Sequence, residues 1–209
     1  MARLTRAEGQ AQTRERLIAS GREAFARSSY ANTSIEEIAE GAGYSKGAFY
    51  SNFATKEELA LEIVRRDTDM VVGATAAAIE RARGNPDKIM ENVGGLALAL
   101  STQSERYILR AELMLHAARS PGFATAYREQ YIRQHGQIAS LVAVLFENLK
   151  IPPRVPPSVL ASAVLALAQG HALLRTVGDP STFGETLRTF LDTAVHRARL
   201  AADREQPPP

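Results

Sequence analysis

The sequence predicts an all-α fold of about nine helices. Three observations carry this. Apolar residues recur at helical spacing from one end of the chain to the other. No apolar/polar alternation is sustained, and no Asn-Gly or Asp-Gly turn separates β-branched runs. The helical stretches are divided by Gly84-Asn85-Pro86, Pro121-Gly122, the run Ile151 to Pro157, and Gly178-Asp179-Pro180.

The first helix presents Leu17, Ile18, Gly21, Ala24 and Phe25 on one face. Two short helices follow, between Thr33 and Phe53. A helix of about 28 residues, roughly 42 Å long, is expected from Lys56 to Arg83. Shorter helices come next, one holding Met90, Val93 and Ala97, the other Tyr107, Ala111 and Met114. A second long helix starts after Pro121-Gly122. Two more run from about Pro157 to Val177 and from Ser181 to Ala202. The expected division is a head at 1–55, a larger helical domain at 56–202 and a frayed tail at 203–209.

Composition sets the outer limits. The chain has 209 residues, 45% hydrophobic and 23% charged, enough for a buried core. It contains no cysteine, which removes disulfides, thiolate metal sites and cysteine nucleophiles. No apolar run follows Met1 to Arg6, as a secretory signal requires. Val159 to Val177 is the most apolar stretch, but Gln169, His171 and Arg175 interrupt it, so it reads as a buried helix rather than a membrane span. A cytoplasmic protein without membrane association is expected. Residues 1–56 hold eight Lys/Arg against six Asp/Glu, leaving 17 of the 25 basic and 17 of the 23 acidic residues for the rest. The small positive excess therefore sits at the N-terminal end.

The segment from Thr33 to Phe53 is the most informative. Two capping boxes overlap, Thr33 with Glu36 and Ser34 with Glu37, and either starts a helix. Ile35, Ile38, Ala39 and Ala42 form its apolar face, and Gly43 ends it as a left-handed residue. Ser45 caps the next helix after a three-residue gap. This is the layout of a helix-turn-helix. At 100° per residue Lys46, Gly47 and Tyr50 share one direction, while Ala48 and Phe49 point toward the preceding helix. Such a face suits a polyanion. Lysine offers charge to phosphate, and tyrosine offers a hydroxyl and a ring. Gly47 costs about 1 kcal/mol relative to alanine in a helix, so its missing side chain suits close approach of another surface. The alternative is a solvated lysine, an incidental glycine and a half-buried tyrosine.

The run Tyr30 to Phe53, YANTSIEEIAEGAGYSKGAFYSNF, followed by Lys56-Glu57-Glu58-Leu59, resembles the tetracycline-repressor (TetR) family of bacterial transcriptional regulators. The resemblance covers about a quarter of the chain. It implies three DNA-binding helices, a C-terminal helical domain that binds ligand and dimerises, and a homodimeric repressor released from double-stranded operator DNA by a small molecule. Carried over by motif, Thr33 or Ser34 contacts phosphate through the hydroxyl and helix start. Ser45, Lys46, Gly47 and Tyr50 lie in or beside the major groove, and Lys56 holds the flanking phosphate. Two positions depart from the family pattern. Ser29 stands where glycine is common. Tyr44 stands where a small aliphatic is usual, with either a phosphate or a core contact open to it. Arg3 and Arg6 lie in an expected flexible arm, either entering a minor groove or contacting nothing.

In the second long helix Phe123, Tyr127, Tyr131 and His135 recur every four residues. They read either as the aromatic wall of a pocket for a small apolar or amphipathic effector or as a core stripe. Met90, Tyr107, Met114 and Gln169 complete the candidate lining, and Gly94-Gly95 suggests a gap there. The helix after Pro157 is apolar almost all round and needs cover on more than one side. A twofold-related copy would provide it through the last two helices, giving a four-helix interface. Burial within one chain is the alternative.

Catalysis is not expected. His116, His135, His171 and His196 are scattered, and neither a Gly-x-Ser-x-Gly, a phosphate loop, a dinucleotide fingerprint nor a metal-ligand cluster occurs. No cofactor is implied. One alternative keeps DNA binding but changes its output, to an activator or a ligand-independent DNA-binding protein. A helical-bundle carrier or enzyme is the competing class; it predicts ligand binding without DNA affinity.

Overall fold

The computed structural model describes residues 5–101, 104–174 and 183–205. Among these, nine α-helices and no strand are found: α1 (Arg6–Asn32), α2 (Ile35–Gly41), α3 (Lys46–Tyr50), α4 (Lys56–Arg81), α5 (Pro86–Ser101), α6 (Ser104–Arg119), α7 (Pro121–Leu149), α8 (Pro157–Leu174) and α9 (Phe183–Glu205). The expected all-α class is the fold observed. The Gly178-Asp179-Pro180 break, Arg3 and residues 206–209 of the tail lie outside the described residues.

Two expectations at the ends need correction. Arg6 is not in an arm but in the first turn of α1. There Thr5 caps the helix: its hydroxyl accepts from the Glu8 amide at 3.2 Å, and the Glu8 carboxylate accepts from the Thr5 amide at 2.8 Å. This is a complete capping box. At the other end α9 continues to Glu205, three residues into the segment expected to fray. Ala201-Ala202-Asp203-Arg204-Glu205 contains no helix breaker, and the prolines begin only at 207.

The chain divides into two compact units, 1–67 with 109–130 and 68–108 with 131–209. In the first, Leu17, Phe25, Tyr30, Ile38, Phe49, Phe53, Leu59, Ile63, Leu113 and Phe123 form one buried cluster. α1 and α4 meet closely there. A Cβ added at Gly21 would lie 2.7 Å from Leu59 Cδ2, so a larger residue there would force the fully buried Leu59 side chain to shift inside the core. In the second unit the cluster is mostly aliphatic: Ile79, Ile89, Val93, Ile138, Val142, Leu145, Phe146, Leu160, Leu187, Leu191 and Val195. α5 packs along α9. Of the gap expected at Gly94-Gly95, the Gly94 side is taken up by the Arg188 stem, whose Cδ would lie 3.5 Å from an added Cβ, while nothing lies within 4 Å of one added at Gly95.

α1 is not continuous. Ser29 has φ 70° and ψ 161°, and the backbone kinks there. Only glycine enters this region freely; another residue carries strain of about 1–3 kcal/mol. The serine that departs from the family pattern therefore sits where glycine would be relaxed.

Candidate nucleic-acid interface

The helix-turn-helix lies wholly within the first unit. Of the two possible caps, the structure uses Ser34, whose hydroxyl accepts from the Glu37 amide at 3.0 Å. α2 ends at a left-handed Gly43, φ 78°. The Gly43 amide bonds to the Glu40 carbonyl and the Tyr44 amide to the Ala39 carbonyl, both at 2.9 Å. That pair of bonds is a Schellman closure, and it turns the chain sharply toward α3. Ser45 then caps α3 by accepting from the Ala48 amide at 3.3 Å.

α3 is held from beneath by Phe49, 0% exposed and packed on Phe53 with ring centroids 5.8 Å apart. The opposite side carries Ser45, Lys46, Gly47 and Tyr50, all exposed, with Tyr50 at 50%. The face expected from helical geometry is the face presented. A Cβ at Gly47 would find only the Ser45 hydroxyl, at 3.7 Å. Nothing inside the chain demands glycine there. Lys46 is ion-paired with Glu36 on α2, and both side chains remain about half exposed. The pairing raises the lysine pKa and lowers that of the carboxyl. A phosphate approaching Lys46 competes with Glu36 for the ammonium.

Three expected contacts are placed otherwise. Thr33 is 2% exposed; its hydroxyl donates to the Ser29 carbonyl at 2.7 Å and the Ala24 carbonyl at 3.2 Å, leaving Ser34 as the surface hydroxyl. Tyr44 is half-buried against the first core, the second of its two alternatives. Lys56 is half-buried and turned inward. Its ammonium donates to the Tyr30 carbonyl at 2.8 Å and the Thr33 carbonyl at 2.7 Å, and stands 4.6 Å from the centre of the Tyr30 ring. Sequence reasoning missed these internal bonds because the acceptors lie 23 and 26 residues away.

The residues expected to line an effector pocket fall in both units. In the first, Phe123 is buried in the core, Tyr127 packs against it with ring centroids 6.0 Å apart, and Met114 is exposed. Phe123 is thus a core residue, as the alternative reading had it. In the second, Tyr131 is 45% exposed. Half-buried His135 Nε2 lies 2.9 Å from both the Ser158 carbonyl and the Ser162 hydroxyl, so it ties α7 to α8. Gln169 Nε2 donates to the Tyr107 carbonyl at 3.0 Å, bringing together two of the expected residues. Met90 lies in a groove of about 330 Å³ between α5 and α9, with Asp87, Glu91, Arg188, Asp192, Val195, His196 and Arg199. No cluster of three or more metal-ligating side chains occurs among the described residues.

Residues 17–63 match the family model of bacterial regulatory proteins, tetR family. The chain is 26% identical over 204 residues to the HTH-type transcriptional regulator TcmR of Streptomyces glaucescens, covering 93% of this chain and 87% of TcmR. A candidate TetR-family regulator from Mesorhizobium loti MAFF303099 has the same fold, with TM-score 0.69, 21% identity, and 93% of this chain and 98% of that one covered. So does a candidate transcriptional regulator from Streptomyces coelicolor A3(2), with TM-score 0.61, 27% identity, and 86% and 98% covered.

Proposed function

We take as premise that the chain is a TetR-family transcriptional regulator, not an enzyme, and propose that it is a repressor. In this reading it binds a palindromic operator as a homodimer and leaves it when a small apolar or amphipathic molecule binds. Regulators of this family bind DNA, typically as dimers. The single observation that carries the DNA-facing part is α3, with Lys46, Gly47 and Tyr50 outward on a fully buried Phe49.

The apolar outer side of α8 supports a homodimer. Val159, Ala166, Gly170, Leu173 and Leu174 are exposed along it, Leu174 at 65%. Five such residues on one helix favour cover by a second copy. The exposed side of α9 is more polar, with Thr189, Thr193 and Arg197, and would supply hydrogen bonds to the same interface. Two copies place two reading helices on half-sites about 34–36 Å apart, or a multiple of that.

An effector shifts the equilibrium only through its different affinity for DNA-competent and released forms. Coupling of about 1–3 kcal/mol would weaken DNA binding roughly 5- to 150-fold. We assign 1–55 to DNA binding and 56–202 to effector binding and dimerisation, with α4 as the element joining them. Among the described residues no helix is long and apolar enough to cross a membrane, and a cytoplasmic site of action fits this reading.

Selection of bound duplexes from a random-sequence pool, repeated with Lys46→Ala, tests the proposal. The wild-type chain should enrich a palindrome, and the variant should bind it more weakly. Its log affinity should fall less steeply with log salt, by about 0.9 for one lost phosphate contact. Unchanged affinity in the variant would remove α3 from the interface. No enrichment at all would favour a ligand-binding bundle without DNA.

A further inference from the structure

Lys56 begins α4 at the point where the family resemblance implies a phosphate contact, yet its ammonium is engaged inside the protein. We propose that Lys56 is a positioning residue that clamps the Ser29 kink through the Tyr30 and Thr33 carbonyls and so sets where Ser34 and α2 stand against DNA. The proposal rests on the DNA-binding reading above and deepens it.

The kink needs holding. Ser29, at φ 70° and ψ 161°, occupies backbone space that side-chain-bearing residues rarely enter, and such a conformation persists only where its surroundings over-determine it. The surroundings do so from three sides. The Thr33 hydroxyl holds the Ser29 and Ala24 carbonyls. The Glu112 carboxylate on α6 accepts from the Tyr30 amide at 2.6 Å. Lys56 holds the carbonyls of Tyr30 and Thr33, which bracket the four-residue turn. Ser34, the surface hydroxyl and the cap of α2, follows directly after the second clamped carbonyl.

An ammonium has three N–H donors. Two point to these carbonyls, and the Tyr30 ring covers a further side at 4.6 Å. Burial holds the lysine pKa below its usual value, the mark of a charge drawn out of water. Lys46 differs in kind: it is exposed, and its partner is a surface carboxylate. The two lysines of the motif therefore divide the work, Lys46 toward DNA and Lys56 toward the turn that aims the head.

The test compares full-length wild type with Lys56→Met on two probes across a range of salt: the duplex enriched by the wild-type chain from a random pool, and poly(dI·dC). Positioning predicts about a tenfold loss on the selected duplex, the scale of one misaligned contact. It also predicts affinity for poly(dI·dC) within about twofold of wild type and an unaltered salt slope, because non-specific binding follows charge at the surface. Equal losses on both probes, with the slope reduced by about one, would make Lys56 a phosphate ligand and overturn the proposal. Equal losses that track the folded fraction at an unchanged slope would reduce it to a stability residue and also overturn it. Should Lys56→Met not fold, the ammonium signal of Lys56 in ¹⁵N-labelled wild type decides. A signal protected from exchange in the free protein and unmoved by DNA supports the clamp; one that sharpens only on adding the duplex refutes it. A wild-type chain that enriches no duplex overturns the DNA-binding reading itself. That failure is separable, since the free-protein signal reports the clamp alone.

Discussion

The two units of the molecule are built to different rules. The first combines buried aromatic rings with individual side-chain-to-backbone hydrogen bonds: Phe25, Tyr30, Phe49, Phe53 and Phe123 stand in its core, Ser34 and Ser45 each cap a helix, and Thr33 and Lys56 each hold two carbonyls. The second is held by aliphatic stripes on long helices, with Phe146 the one aromatic ring fully buried among its described core residues. In the first unit a residue matters for the atom it places. In the second it matters mainly for the apolar volume it supplies, and neighbouring apolar residues can substitute for it. A surface proposed to match DNA tolerates little displacement, whereas a body packed by aliphatic stripes can adjust.

The strongest attempt to break this contrast is Phe49→Ala. Removing a fully buried ring beneath α3 should cost about 3–5 kcal/mol, measured by urea denaturation, with loss of DNA binding before loss of the second unit's helices. A cost under about 1 kcal/mol would show that the head is not organised around that ring.

Ser29→Gly probes the strain. Relief at the kink outweighs the extra freedom glycine gives the unfolded chain, so a net gain of about 1 kcal/mol is expected in the same assay. A destabilised variant would mean that the serine side chain itself holds the turn.

Glu62 sharpens the electrostatic side. Arg65 and Arg66 bond to its carboxylate at 2.8 Å and hold its pKa down to about 2, against a usual value of 4.5. The folded value is the depressed one. Its contribution is therefore present above about 4.5 and lost as pH falls toward 2. Glu62→Gln should flatten acid unfolding within that window. The effect should not exceed about 1 kcal/mol, because solvent screens the partly exposed pair. An unaltered acid profile would count against the pairing.

The smallest structural effect is expected at Tyr131, exposed in the second unit. Tyr131→Ala should change stability by no more than about 0.5 kcal/mol and leave DNA affinity intact, while altering effector-driven release if Tyr131 touches the effector. A larger stability loss would return it to the core stripe and blur the contrast.

Much of the head was legible in advance because its signals are local. The Ser34 and Ser45 caps, the Gly43 closure and the outward direction of Lys46, Gly47 and Tyr50 each depend on residues a few positions apart. The Thr33 hydroxyl was not legible: two overlapping capping boxes compete in sequence, and a 3.2 Å bond to Ala24, nine residues back, accompanies its inward turn. The aromatic stripe of α7 left two readings open for a related reason. Equal spacing along one helix does not imply equal surroundings, and Phe123 is buried while Tyr131 is exposed.

By itself the chain of residues determined the helical class, the helix-turn-helix and the face that α3 presents, since periodicity, capping and glycine φ preferences act within a turn or two of backbone. Only the tertiary structure decided that Lys56 serves the Tyr30 and Thr33 carbonyls, and that the Tyr30 amide finds Glu112, 82 residues away. The physical reason is that a charged or polar group takes whatever partner burial brings to it, and that partner is chosen by packing rather than by order along the chain.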